Sequence, residues 1–178
     1  MKRIFVAAAA ALLMTGILAG PAVASPPKII TVSWVETAYR YSYDGTLQFQ
    51  YAPSLIGPLD LMQTGNAYHD VSIADFYSIP VSYIKGSMVI NGAGILSAEI
   101  TYIREDTPLL TLRDRADGRV TIDPDAGTMT GHYTQFRMAY GSREEVLASF
   151  PYAIPDKSPN ASGWWFLDYT EYDVTYPS

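Results

Sequence analysis

Cysteine is absent from this 178-residue chain. Its absence excludes disulfides, Cys-ligated zinc, iron–sulfur clusters, thiol nucleophiles and a lipidated N-terminal cysteine. Histidine is almost absent, with only His69 and His132, and the common catalytic zinc sites need three ligands at suitable spacing. No metal is expected. Basic residues are outnumbered 12 to 18 by acidic ones. That balance excludes nucleic acid as a partner, because phosphate neutralisation needs clustered Lys and Arg, and it argues against docking on anionic lipid. Also missing are a Gly-x-Ser-x-Gly elbow, a His-Glu-x-x-His pair, a phosphate-binding Gly-Lys loop and a dinucleotide fingerprint. No cofactor is therefore expected, and no motif names a reaction.

Long apolar runs are missing everywhere except at the start. Lys2 and Arg3 precede an unbroken apolar run from Ile4 to Met14, and Ala22-Val23-Ala24 places small residues just before Ser25-Pro26-Pro27. This is the three-part pattern of a secretory signal peptide, so residues 1–24 are read as an address removed from the mature chain. No later segment approaches the roughly 18 apolar residues of a spanning helix. Cutting after Ala24 leaves 154 residues with ten basic and 18 acidic side chains, a net charge of −8. That is the size of one domain, large enough to bury a core without staples. An exported, cysteine-free domain fits the bacterial periplasm or cell exterior better than a disulfide-rich secretory route.

What the chain does have is β character. Fourteen Tyr and three Trp stand with many Val, Ile and Thr in short runs between Gly, Pro, Asn and Asp. The clearest local signal is Ala38–Tyr43, then Asp44-Gly45, then Thr46–Tyr51. A two-residue type I′ turn at Asp-Gly sets Tyr43 opposite Thr46, Tyr41 opposite Gln48 and Tyr39 opposite Gln50. The other face pairs Ser42 with Leu47, Arg40 with Phe49 and Ala38 with Tyr51. It is apolar apart from Arg40 and is assigned to the core.

Further strands are predicted at Lys28–Glu36, Tyr68–Ile73, Phe76–Ile84, Met88–Ile90 and Ile95–Arg104. Leu109–Arg113 and Arg119–Ile122 follow, with a turn at Asp117-Gly118, and then Thr128–Tyr140 and Trp164–Tyr176. Pro80 places Phe76–Ile84 at an edge or bulge. One short helix is expected, because Ser142-Arg143-Glu144-Glu145 has capping-box spacing and Val146, Leu147 and Phe150 make a stripe. Pro53–Asn66 and Pro151–Gly163 read as irregular. The fold expected is a single all-β domain over residues 25–178, an antiparallel barrel or sandwich with one surface helix.

Candidate site residues are mostly aromatic. Tyr39, Tyr41 and Tyr43, with Gln48 and Gln50 opposite, form a flat strip edged by amides, suited to a sugar ring or an apolar small molecule. Trp165 at an exposed edge would add a platform. His132, paired with a carboxylate in a barrel cavity, is the candidate acid–base group. His69 is poorly oriented by Asp70, since strand neighbours face opposite sides. Asp123-Pro124-Asp125-Ala126-Gly127 resembles half a calcium loop but lacks the distal Glu, so it reads as a hairpin turn. Glu36, Glu99 and Glu171 read as solvent-facing charges rather than a carboxylate pair.

The expected function is an exported, non-catalytic module that binds a carbohydrate or a small apolar molecule. A cofactor-free isomerase, cyclase or hydrolase using His132 is the first alternative. A small outer-membrane barrel is the second, and Arg40 on the apolar hairpin face counts against it.

Overall fold

A computed structural model describes residues 26–72, 80–156 and 162–177. The expected signal peptide lies outside them, as do the start of the strand predicted from Phe76 and the end of the one predicted to reach Ile73. The strands are β1 (Lys28–Tyr41), β2 (Leu47–Gln50), β3 (Ser54–Thr64), β4 (Ala67–Asp70), β5 (Val81–Ile90), β6 (Ile95–Arg104), β7 (Thr111–Asp123), β8 (Thr128–Ser142), β9 (Ile154–Pro155) and β10 (Ser162–Thr175). The one helix among the described residues is α1, Arg143–Ser149. Eight of these strands close an antiparallel barrel in the order β1-β3-β4-β5-β6-β7-β8-β10, and β10 returns to β1. Among the described residues, no helix is long and apolar enough to cross a membrane.

Alternation decides which side chains enter the barrel. On β7, Leu112, Asp114 and Val120 are buried while Arg115, Asp117, Arg119 and Thr121 are exposed. On β1, Ile30, Val32, Trp34 and Ala38 point inward. The core they build with Leu61, Ile90, Leu96, Leu112 and Val120 is apolar, and its burial is the main source of stability. At one end, α1 contributes Val146, fully buried, and Gly141 lies so close to Leu110 and Val146 that a Cβ would sit 2.5 Å from the leucine. The helix starts as its sequence requires. Ser142 Oγ accepts from the Glu145 amide at 3.3 Å, and the Glu145 carboxylate accepts from the Ser142 amide at 3.1 Å, the reciprocal pair of a capping box.

Several local expectations are corrected. The β1–β2 connection is a three-residue loop, in which Gly45 N donates to Ser42 O and Gly45 has φ +81°. Asp44 Oδ1 accepts from Ser42 Oγ at 2.6 Å and from the Thr46 amide at 3.1 Å, and this tie favours the longer loop. Tyr39 still pairs with Gln50 and Arg40 with Phe49, but a bulge then pairs Tyr41 with Leu47 rather than Gln48. The hairpin's presumed core face is also only half right. Ala38 is buried, whereas Leu47, Phe49 and Tyr51 are exposed, because β2 pairs with β1 alone.

Pro53–Asn66 is not irregular, since most of it is β3. Its Gly57 has φ +99°, and a Cβ there would lie 2.7 Å from Val32 O, where β1 bulges. Asp117-Gly118 is no turn either. It lies mid-strand in β7, and Gly118 is small because Tyr133 crosses it.

Candidate functional site: a cavity inside the barrel

The barrel is not filled. A cavity of about 510 Å³ lies within it, in the size range of small-molecule sites. Its apolar side comes from Ile56, Leu59, Met88, Leu96, Ile100 and Met129. Space arises where the lining is small, at Ala98 on β6 and Ala116 on β7, which are partners across the sheet. Among the described residues, β4 is short and pairs with β5 only at Tyr68 and His69. The first half of β3 therefore has β1 as its only partner among them, and its exposed Leu55, Gly57 and Pro58 are among the residues that line the cavity.

The opposite wall is polar and ordered by strand register. Asp114 pairs with Arg137, and Arg137 in turn with Asp168. Gly118 pairs with Tyr133, Tyr133 with Tyr172, and Tyr172 with Ala38. The small residues at both ends of that second rung leave room for two rings to stack, with centroids 4.5 Å apart and planes 12° from parallel. Tyr172 Oη donates to Gln135 Oε1 at 3.2 Å.

Asp114 is the hub of this wall. Its carboxylate accepts from Arg137 Nε at 3.0 Å and Nη2 at 3.1 Å, from Gln135 Nε2 at 2.6 Å and from Tyr102 Oη at 3.3 Å. Burial disfavours the Arg137 charge, but Asp114 more than offsets that and holds the guanidinium protonated. Burial also raises the Tyr102, Tyr133 and Tyr172 hydroxyls above the ordinary tyrosine range, so all three stay neutral at physiological pH.

Glu36 faces the cavity, contrary to the expectation of a solvent-facing charge. It follows Ile30, Val32 and Trp34 on the inward face of β1. Its Oε2 accepts from Trp34 Nε1 and from Tyr133 Oη, each at 3.1 Å. Desolvation by burial raises its pKa above the usual carboxylate value, and the two hydrogen bonds only partly oppose that. The alternation of β1 carried the signal, since every second residue from Ile30 is apolar until Glu36.

A second recess of about 460 Å³ opens under the β1–β2 hairpin, lined by Arg40, Gln48, Phe49, Tyr51, Tyr152 and Asp168 among others. Arg40 Nη2 donates to Asp168 Oδ2 at 2.5 Å and to Tyr152 Oη at 2.6 Å.

The sequence-derived candidates lie outside the barrel cavity, and of them only Gln48 lines the second recess. Tyr41 stacks on Tyr169 outside the barrel, centroids 5.0 Å apart, and Tyr43 meets Phe166 edge-on. One ring face of the proposed flat strip is thus already occupied. Tyr39 belongs to the same outward face as Tyr41. Gln50 is exposed, and Gln48 donates to Ser42 Oγ at 3.2 Å and Thr46 O at 3.3 Å, which ties the hairpin turn. Trp165 is buried in the core instead of forming an exposed platform, because its parity on β10 points it inward. His132 stands on the outer wall with its side chain 53% exposed, 3.1 Å from Asp173. It shares no cavity with the carboxylates. His69 is on β4, halfway round the barrel, and Asp70 instead accepts from the Met88 amide at 2.6 Å. Asp123 Oδ1 accepts from the amides of Asp125 and Ala126, a turn held by its own side chain.

No family model, curated protein or solved structure matches the chain. The cavity itself carries the functional argument.

Proposed function

We propose that the mature domain is an exported, non-catalytic binding protein that encloses a small, largely apolar molecule within its barrel. The observation that carries this reading is the 510 Å³ cavity, with an apolar side and a few fixed polar groups on the other, the usual composition of a ligand pocket. The outer tyrosine strip is a weaker candidate, since Tyr41 and Tyr169 already cover one another. The acid–base alternative loses its residue with His132 on the outer wall. An outer-membrane barrel needs an apolar outward band, whereas the outer wall here carries Glu99, Arg115, Asp117, His132 and Asp173 mid-strand.

The test uses the mature domain and a neutral fluorescent probe, N-phenyl-1-naphthylamine. Saturable binding, one probe per chain, is expected. Ala116→Phe, which projects a ring into the cavity, should abolish it while keeping cooperative unfolding, and Tyr43→Ala should leave it unchanged. Absent binding, or binding indifferent to Ala116→Phe, would sink the reading. Export is checked by fractionation and by a mature N-terminus at Ser25.

A further inference from the structure

Four ionisable carboxylate and guanidinium groups line the cavity: Glu36 on β1, Arg104 on β6, Asp114 on β7 and Arg137 on β8. Three have ionic partners. Arg137 is held in a two-point pair by Asp114, and Arg104 by Asp106 through Nε at 2.8 Å and Nη2. Glu36 alone among them has no cation beside it among the described residues. Both hydrogen bonds to it, from Trp34 and Tyr133, arrive at Oε2, so among the described residues Oε1 has no hydrogen-bond donor. A carboxylate so placed either keeps a proton or awaits a positive charge. Trp34, Tyr133 and Tyr172 line the same cavity, and although Tyr133 and Tyr172 cover one face of each other, aromatic rings beside a carboxylate favour a cation.

Resting on the cavity reading above, we propose that the ligand is an organic cation, an amine or quaternary ammonium held between the Glu36 carboxylate and the Trp34, Tyr133 and Tyr172 rings. Such a ligand neutralises Glu36, which among the described residues is the cavity-lining acid without a cationic partner. An anionic guest would have to compete with Asp114 and Asp106 for arginines they already hold. The net charge of −6 over the whole chain also raises the local concentration of cations at its surface.

Binding is then linked to pH. Burial favours the protonated Glu36, so a cation that binds the anion expels this proton, and affinity rises with pH. The groups facing Glu36 do not mask the effect. Tyr133 on β8 and Tyr172 on β10 stay neutral, Asp114 and Arg137 balance each other, and the cavity-lining residues of β3 and β5 are not ionisable.

The experiment displaces bound N-phenyl-1-naphthylamine with benzyltrimethylammonium or with its neutral carbon isostere, neopentylbenzene, at pH 5 and pH 8. The cation should compete about tenfold or more better than the isostere at pH 8, and the preference should shrink at pH 5. Glu36→Gln should remove the preference for the cation and its pH dependence. Equal competition at both pH values in the wild type would overturn the cation proposal and leave the cavity reading standing. A preference that survives in Glu36→Gln would also overturn it. If the naphthylamine itself does not bind, the cavity reading falls and takes this proposal with it. The wild-type pH comparison decides the matter even if the variant fails to fold.

Discussion

Asp114→Asn tests whether the polar wall is an ion pair that the fold depends on. The substitution keeps shape and volume and removes only the charge and one acceptor. Among the described residues, three donors converge on Oδ2, from Arg137 Nη2, Gln135 and Tyr102, and one on Oδ1, from Arg137 Nε. The amide will therefore settle with its oxygen in the Oδ2 place, turning its NH₂ toward Arg137 Nε. One donor then meets another, and the guanidinium loses its hydrogen-bonded counter-charge, keeping only Asp168 nearby. Removing one partner of a buried pair costs about 3–5 kcal/mol. Asp114 is 2% exposed, but the Arg137 side chain keeps 31% exposure, part of it facing the cavity, where water can relieve the stranded charge. The lower end, about 3 kcal/mol, is expected.

Urea denaturation at pH 7, followed by tryptophan fluorescence, should show the midpoint falling by about 1–3 M. In a thermal melt the same loss is about 6–12 °C for a domain of this length. The double variant Asp114→Asn, Arg137→Met should recover much of the loss, because no charge is then stranded. A single variant within about 0.5 kcal/mol of the wild type, or a double variant that loses the sum of both singles, would refute the hub.

Two further predictions follow from the same wall. The folded pKa of Glu36 is raised by burial, so its contribution to stability is fully present below the unfolded carboxylate value and is lost as pH rises through the folded one. Glu36→Gln, which stays neutral, should match the wild type near pH 4 and unfold at higher urea near pH 8; the opposite order at pH 8 would mean the carboxylate is stabilised as an anion. Gly118→Ala would place a Cβ 2.3 Å from Tyr133 Cβ and 2.5 Å from His132 O, so β7 and β8 must separate. A loss of about 1–3 kcal/mol by denaturation with weakened naphthylamine binding is expected, and a neutral effect on both would show that the Tyr133 wall tolerates displacement.

Much of the fold was legible where each strand obeyed one signal. Ile95–Arg104 has the bounds of β6, and the Ser142 capping box starts α1 as its spacing required. β3 was hidden because Pro53, Gly57, Pro58 and Asp60 are breakers in an isolated sequence, whereas here Gly57 serves a close approach to β1. Asp117-Gly118 has turn composition, but its glycine answers to a ring on the neighbouring strand. No local pattern reveals such a neighbour. None of the candidate site was read correctly: the alternation of β1 carries a signal at Glu36, but the sequence reading assigns that residue to solvent. Asp114, Gln135 and Arg137 come together through register between strands, which spacing along one strand does not encode. The hairpin tyrosines do line one face, but what covers them is invisible locally. Their partners Tyr169 and Phe166 come from β10, over a hundred residues away in sequence.

The cavity is too large to be a packing defect. Interiors are close-packed, and an empty, dry void costs on the order of 24 cal/mol per Å³. The 510 Å³ space here is partly open rather than sealed, so that cost is avoided only because solvent or a guest occupies it. Closing it would have been simple, since leucine at position 98 or 116 reaches into the same volume. The chain instead keeps alanine on both facing strands, and glycine and alanine at the ends of the tyrosine rung. It also accepts a buried ion pair and an unbalanced acid beside the space. The small residues forgo packing that larger side chains would supply, and a guest whose apolar body fills the space beside them would restore it.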